Sequence, residues 1–127
     1  MRRSAYSLLF FALASCCAVG PSGAEPSAAA EAEIESLLGA VAGSSCSFIR
    51  NGTPHSPPDA RVHMELKYDH LRKRIDTAED FIEMAGSHSS LSGRPYLVEC
   101  AGAPQRKTRD WLLERLGALR DEGPTSP

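Results

Sequence analysis

The sequence predicts an α+β fold in which four helices pack with a short two-stranded antiparallel sheet. Four segments carry apolar residues at the spacing of one helix face, and two short apolar runs bounded by turn residues have the length of strands. About 100 residues follow the N-terminal segment, and a chain of that length forms one domain with a modest core.

The first helix is predicted from about Ala28 to Ala42. Its apolar face has the spacing i, i+3, i+4, i+7 and is formed by Ile34, Leu37, Leu38 and Val41. Gly43 and the serines after it end the helix. Cys46 to Ile49 then forms the first strand, and residues 50–54 (RNGTP) have the composition of a turn.

The second helix begins after Ser56, which acts as the N-cap of a first turn that contains two prolines. Its core face falls within an arc of roughly 80° at the helical rotation of about 100° per residue. That face is formed by Ala60, Met64, Tyr68, Leu71 and Ile75. The second helix is therefore amphipathic, and it packs on the core along this seam.

A capping box starts the third helix, with Asp76 and Thr77 as the cap and Glu79 or Asp80 at the return position. This helix ends at Gly86, a polar loop follows, and residues 96–100 (YLVEC) form the second strand. The fourth helix runs from about Arg109 to Arg120. Its inward side is formed by Trp111, Leu112, Leu116 and Leu119.

The chain divides into four parts by composition. Residues 1–24 have the basic start, the short apolar run and the small residues before a cleavage point that are typical of a signal peptide. A flexible segment is expected at 25–32, the single α+β domain at 33–120 and a disordered tail at 121–127. Leu13 to Cys16 also has the form of a lipobox, which would make Cys16 the lipidated first residue. Both interpretations predict export: the first to the periplasm, the second to a lipid anchor in the envelope.

The charge balance argues against a nucleic-acid-binding protein. Without Arg2 and Arg3, 12 basic side chains remain against 16 acidic ones, a formal charge of -4. Nucleic-acid-binding domains are typically strongly basic on one face. Membrane contact is expected only through the signal peptide or a lipid anchor, since no second apolar segment is long enough to span a bilayer.

Cys46 and Cys100 are predicted to form a disulfide. They are the cysteines left after cleavage at Ala24, and the compartment beyond the inner membrane is oxidising. The bridge closes a loop of about 55 residues, for which chain entropy gives roughly 4 kcal/mol of stabilisation. The alternative is a pair of buried free thiols.

A ligand site is predicted where the two strands end. Arg50 and Asn51 follow the first strand and Arg94 precedes the second, so antiparallel pairing brings them to one end of the sheet, with His55 and Tyr96 nearby. The alternative is a structural role, with Arg50 paired to Asp59 or Asp76. A cofactor is not expected.

A stripe of cations and histidines lies beside the apolar seam of the second helix. It consists of His63, Lys67, His70 and Arg74, and it would face an anionic partner or simply solvent. Asp59 and His63 have metal-ligand spacing, with His55 close by, but without a cysteine or HExxH framework the sequence predicts no metal site.

Several motifs together resemble the YfeK-like family, short exported bacterial proteins with a domain of unknown function. They are the runs at 48–52 (FIRNG) with His55, at 74–82 (RIDTAEDFI), and at 89–90 and 92–96 (SGRPY). The resemblance covers roughly Ile34 to Leu119, and it departs from the family at Arg94, where the family has a lysine. It implies export and a single small domain, and it supplies no activity or site residue.

These observations favour a non-enzymatic envelope protein that binds a protein partner or a small anionic ligand through Arg50, Asn51, His55, Arg94 and Tyr96. An inhibitor or a chaperone-like protein would have the same sequence features. The enzyme alternative is a small envelope hydrolase that uses the serine-rich loop at 87–93 with His55 or His88. No nucleophile elbow or Ser-x-x-Lys motif accompanies those serines, which favours the non-enzymatic interpretation.

Overall fold

The computed structural model describes residues 25–123, which form four α-helices and a four-stranded antiparallel sheet. The helices are α1 (Ala28–Ala42), α2 (Pro57–Leu71), α3 (Ala78–Phe81) and α4 (Thr108–Asp121). The strands are β1 (Ser47–Arg50), β2 (Thr53–His55), β3 (Leu97–Glu99) and β4 (Arg106–Lys107). The predicted signal peptide, Cys16 and residues 124–127 of the predicted tail lie outside the described residues.

The α+β class is confirmed, but the predicted strand count is wrong. The sheet order is β2-β1-β3-β4, and every neighbouring pair is antiparallel. The two predicted strands are the central pair β1 and β3. The additional edge strands are only three and two residues long. Their length is too short for a hydrophobic pattern to show, so pairing alone defines them.

The turn between β1 and β2 is a two-residue hairpin loop. Asn51 and Gly52 both have positive φ, at 50° and 78°. A type I′ turn needs this conformation at both central positions, and its twist matches that of the flanking strands. The hairpin therefore folds β2 back onto β1, with Phe48 opposite His55.

Three of the four helices, α1, α2 and α3, begin at a side-chain cap. Ser27 and Ser56 accept hydrogen bonds from backbone amides of the first turns of α1 and α2. Thr77 and Asp80 form the predicted capping box of α3. Helix α1 runs from Ala28 to Ala42, the range predicted from its apolar spacing. None of the helices in residues 25–123 is both long enough and apolar enough to cross a bilayer.

Helices α2 and α3 both change pitch at their C-terminal ends. A 3₁₀ turn, Arg72–Arg74, follows α2, and a π-helical segment, Ile82–Gly86, continues α3. The Ser87 hydroxyl donates to the Ile82 carbonyl at 2.6 Å, which satisfies a buried carbonyl in the π segment. A Cβ at Gly86 would lie 2.6 Å from Leu112 Cδ1, so any larger residue here would displace the buried Leu112 side chain.

The core lies between the helices and the inner face of the sheet. Its largest fully buried apolar side chains are Phe81, Ile34, Leu37, Ile75, Ile82, Leu112, Val41 and Val98. The predicted disulfide is present, and Cys46 and Cys100 bridge β1 and β3 just beyond the Ser47–Glu99 pair. Within the described segment, all the clustered core residues lie between Ile34 and Leu116.

Candidate functional site

A narrow cleft opens where β1, β2, α2 and the start of α4 meet. It is lined by Phe48, Ile49, Arg50, His55, Asp59, Ala60, His63, Met64, Tyr96 and Thr108. The cleft has a cavity volume of about 20 Å³, which is room for about one water molecule. We call it the Arg50 cleft. A site this narrow admits a small group, or one end of a larger molecule.

The sheet register brings three of the five predicted ligand residues to this cleft. Ile49 pairs with Leu97, so Arg50 lies level with Tyr96 on the neighbouring strand. The hairpin places His55 opposite Phe48 on the other side of β1. Arg50, His55 and Tyr96 therefore line one cleft.

Asn51 and Arg94 are placed differently from the prediction. The Asn51 side chain donates to Ser89 Oγ at 3.4 Å and accepts from the Ser92 hydroxyl at 2.6 Å, so it braces the loop at 87–95. Arg94 belongs to that loop, is exposed, and does not line the cleft. The loop turns back on itself, with Ser89 N donating to Arg94 O at 2.9 Å, and this separates Arg94 from the cleft.

His63, Tyr96 and Lys67 form a hydrogen-bonded cluster on one wall of the cleft. His63 Nε2 lies 3.0 Å from the Tyr96 hydroxyl, and Lys67 Nζ lies 3.4 Å from the same oxygen and 2.8 Å from the His88 carbonyl. An ammonium group can only donate hydrogen bonds. The Tyr96 hydroxyl oxygen therefore accepts from Lys67, and the tautomer of His63 decides whether Nε2 donates to this hydroxyl or accepts from it.

The titration behaviour of this cluster follows from its burial and from Arg50. Burial, then the positive charges of Arg50, Lys67 and His55, lowers the pKa of His63 to about 4. Burial and Arg50 also lower the pKa of Lys67. Burial raises the pKa of Tyr96, although Arg50 opposes the shift. At neutral pH the His63 ring is therefore neutral and Tyr96 keeps its proton.

Arg50 has no acidic partner within salt-bridge distance among the described residues. The two partners considered from the sequence were Asp59 and Asp76, and neither lies within 4.0 Å of the Arg50 guanidinium. Asp59 is the one carboxylate among the residues that line the cleft. In contrast, five arginines elsewhere in the described chain form salt bridges. They are Arg61, Arg72, Arg106, Arg109 and Arg120.

Thr108 is a cleft residue that sequence reasoning missed. It is fully buried at the first position of α4, and its hydroxyl has no hydrogen-bond partner within the described chain. Its amide donates to the Tyr96 carbonyl at 2.9 Å, which ties the start of α4 to the cleft. A threonine directly before the predicted helix start at Arg109 was the available signal, but that pattern indicates a cap and not a cleft residue.

The predicted stripe lines a second, open groove on the other side of His63. This groove is formed by His63, Leu66, Lys67, His70, Leu71, Arg74 and Ser90. Arg74 remains with the stripe although it lies in the 3₁₀ turn after α2. The structure therefore brings the four stripe residues to one groove, and His63 forms part of both depressions.

The serine-rich loop has a structural arrangement. Ser87 donates to the Ile82 carbonyl, and Ser89 is bonded to Asn51 and accepts from the Ser92 amide. Within residues 25–123 no serine hydroxyl is hydrogen-bonded to a histidine ring. This arrangement provides no support for the hydrolase alternative. Although His55, Asp59 and His63 line one cleft, no group of three His, Cys, Asp or Glu residues in the described segment is placed to hold a metal ion.

Comparison with known proteins places the chain in a family. Residues 28–120 match the family described as "Family of unknown function (DUF5329)". The chain is 43% identical over 77 residues to "Uncharacterized protein YfeK" of Salmonella typhimurium, strain LT2. That match covers 60% of this chain and 64% of the relative, so the chain spans slightly less than two thirds of the relative's length. No solved structure matches the chain. The chain therefore belongs to the DUF5329 family of unknown function and is a YfeK-like protein.

Proposed function

We propose that this protein is a non-enzymatic binding module of the bacterial envelope that receives a small anionic group in the Arg50 cleft. The observation that carries the proposal is the half-buried residue Arg50, which lines the cleft and forms no salt bridge within the described chain. Removing a cation from water without a counter-charge costs free energy. A bound anion supplies the counter-charge and offsets that cost.

Charge around the cleft supports an anion over a cation. Burial is the main cause that lowers the pKa values of His63 and Lys67, and the charge of Arg50 lowers both further, which is the effect of a positive potential in the cleft. A phosphate or carboxylate group would accept charge-assisted hydrogen bonds from the guanidinium. The neutral His63 ring and the Tyr96 hydroxyl would line the cleft as uncharged polar groups. Neither group is placed beside a nucleophile.

The size of the cleft supports recognition of a terminal group. Its cavity volume of about 20 Å³ has room for about one oxygen-sized group, so a phosphate or carboxylate would enter with one oxygen and the rest of the ligand would lie outside the mouth. The disulfide and the export signal predicted for residues 1–24 both favour an envelope location, where phosphate- and carboxylate-bearing molecules are available as ligands.

Inorganic phosphate is the probe for this proposal, with binding followed by calorimetry at physiological ionic strength. The Arg50→Gln variant should bind phosphate roughly ten- to hundredfold more weakly, the loss expected for a charge-assisted hydrogen bond. Arg94→Gln is the matched control, since it removes the same charge from a residue outside the cleft and should leave affinity within about twofold. Equal affinities of Arg50→Gln and the unmodified protein would contradict the proposal.

A further inference from the structure

Three large hydrophobic side chains are exposed in the described chain, and all belong to α2 or to the loop at 87–95. Val62 is 54%, Leu66 64% and Leu91 100% exposed. Val62 and Leu66 are four residues apart and therefore lie on one face of α2. Leu66 lines the groove formed by the cationic stripe, and so does Ser90, the neighbour of Leu91. Two exposed leucines thus lie at or beside the same groove.

Leu91 is held in solvent by an ordered loop. Gly93 N donates to Ser89 O at 2.9 Å, and Ser92 N donates to Ser89 Oγ at 3.3 Å. The Ser92 hydroxyl also donates to Asn51 Oδ1 at 2.6 Å, which connects the loop to the β1–β2 turn. A fully exposed leucine adds no burial free energy to the fold. The loop therefore presents an apolar side chain that the domain does not use for its own stability.

Cations without acidic partners accompany these leucines. Arg74 lines the groove, and Arg94 lies three residues after Leu91 in the same loop. Neither forms a salt bridge with any described residue. The groove lining contains no carboxylate, and the acidic residues of the same segment, Glu65, Asp69 and Asp76, are not part of it. This surface is thus both apolar and basic, although the chain without its first 24 residues is acidic.

We infer that this surface docks on an anionic lipid bilayer. Leu66 and Leu91 enter the interfacial region, and Arg74 and Arg94 contact the headgroup phosphates. Protruding apolar side chains flanked by cations are typical of proteins that bind at a membrane interface. A groove for a peptide instead has its apolar residues in the floor, whereas Leu91 is fully exposed. The surface adds a membrane contact to the one expected from the N-terminal segment.

The test is co-sedimentation of the chain beginning at Glu25, which contains the whole described domain but not the apolar N-terminal segment. Binding is expected to vesicles of equal parts phosphatidylglycerol and phosphatidylcholine, and not to phosphatidylcholine alone. The Leu66→Ser, Leu91→Ser double variant should bind roughly tenfold or more weakly. The Arg74→Gln, Arg94→Gln double variant should bind about thirtyfold more weakly, from about fivefold for each cation near the surface.

The matched control is Arg106→Gln, Arg109→Gln, which removes the same charge from arginines paired with Glu114 and Glu83. This variant should sediment with vesicles as the unmodified chain does. An equal loss in the control, or no difference between the two vesicle types, overturns the inference. Binding to soluble polyglutamate without binding to vesicles also overturns it, in favour of an acidic protein partner. Phosphate affinity at the Arg50 cleft should be unchanged in the leucine variant, which separates this test from that of the proposed function.

Discussion

His63 Nε2 lies 3.0 Å from the Tyr96 hydroxyl, and this contact joins the middle of α2 to the residue that leads into β3. The two rings also pack edge to face, with centroids 5.8 Å apart. Burial, followed by the charges of Arg50, Lys67 and His55, lowers the pKa of His63 to about 4, so the ring in this contact is neutral at pH 7. The wall of the Arg50 cleft is therefore linked to the protonation state of one histidine.

The first prediction is a loss of stability in mild acid. The pKa of His63 is about 4 in the folded chain and 6.5 when unperturbed, so between these values the unfolded chain binds more protons. Stability due to the neutral ring is fully present above pH 6.5 and is lost as the pH falls towards 4. After allowing for solvent screening of a partly exposed ring, the loss is on the order of 1 kcal/mol. Urea unfolding at a series of pH values measures it.

His63→Gln is the control for this pH dependence. Glutamine keeps a polar side chain beside Tyr96 and does not titrate, so the part of the slope between pH 6.5 and 4 that comes from His63 should disappear. If the variant retained the full slope of the unmodified protein, other groups would be responsible and the assignment to His63 would be wrong.

The second prediction concerns the disulfide. Replacing both Cys46 and Cys100 with alanine should lower the free energy of unfolding by roughly 4 kcal/mol, because the bridge closes a loop with a sequence separation of 54 residues. Thermal and urea unfolding of the oxidised protein and the double variant measure the difference. Equal stabilities would show that the cross-link does not constrain the unfolded chain.

The third prediction compares two glycines with opposite surroundings. Gly86→Ala should destabilise the protein by about 1–3 kcal/mol, since the new Cβ would meet the buried Leu112 side chain at 2.6 Å. Gly117→Ala makes the same substitution in α4, where nothing lies within 4 Å of the new Cβ, and should stabilise by up to about 1 kcal/mol. Changes of the same sign in both variants would contradict the packing described at Gly86.

The fourth prediction isolates the bracing role of Asn51. Asn51→Gly keeps a residue that readily adopts the positive φ of 50°, so the hairpin turn is retained. The side-chain hydrogen bonds to Ser89 and Ser92 are lost, and stability should fall by about 1 kcal/mol. Amide exchange at Ser89 and Gly93 should accelerate as the loop loosens. Unchanged exchange at both amides would mean that the loop does not depend on Asn51.

Much of the fold was predictable because its signals are local. The helices were recognised from caps and from apolar spacing, and β1 and β3 from short apolar runs with a cysteine in or beside each. β2 was missed because its three residues include Pro54, which is exposed on an edge strand and has no amide to donate. β4 has only two residues and is defined by its pairing with β3, a tertiary property.

The candidate site was predictable only where strand register decides it. Antiparallel pairing of β1 with β3 places Arg50 level with Tyr96, and this followed from the positions of the two runs. Arg94 does not join them, because the loop before β3 folds on itself through hydrogen bonds that the sequence does not reveal. Thr108 reaches the cleft from the far end of the chain, and only the packing of α4 brings it there.

The most direct test of the Arg50 cleft is an NMR titration of the His63 ring with and without inorganic phosphate. Without phosphate the pKa of His63 should be about 4. An anion bound beside Arg50 would stabilise the protonated ring, so phosphate should raise this pKa in the unmodified protein and not in Arg50→Gln. A His63 pKa that phosphate leaves unchanged, or shifts equally in both proteins, would contradict anion binding in the cleft.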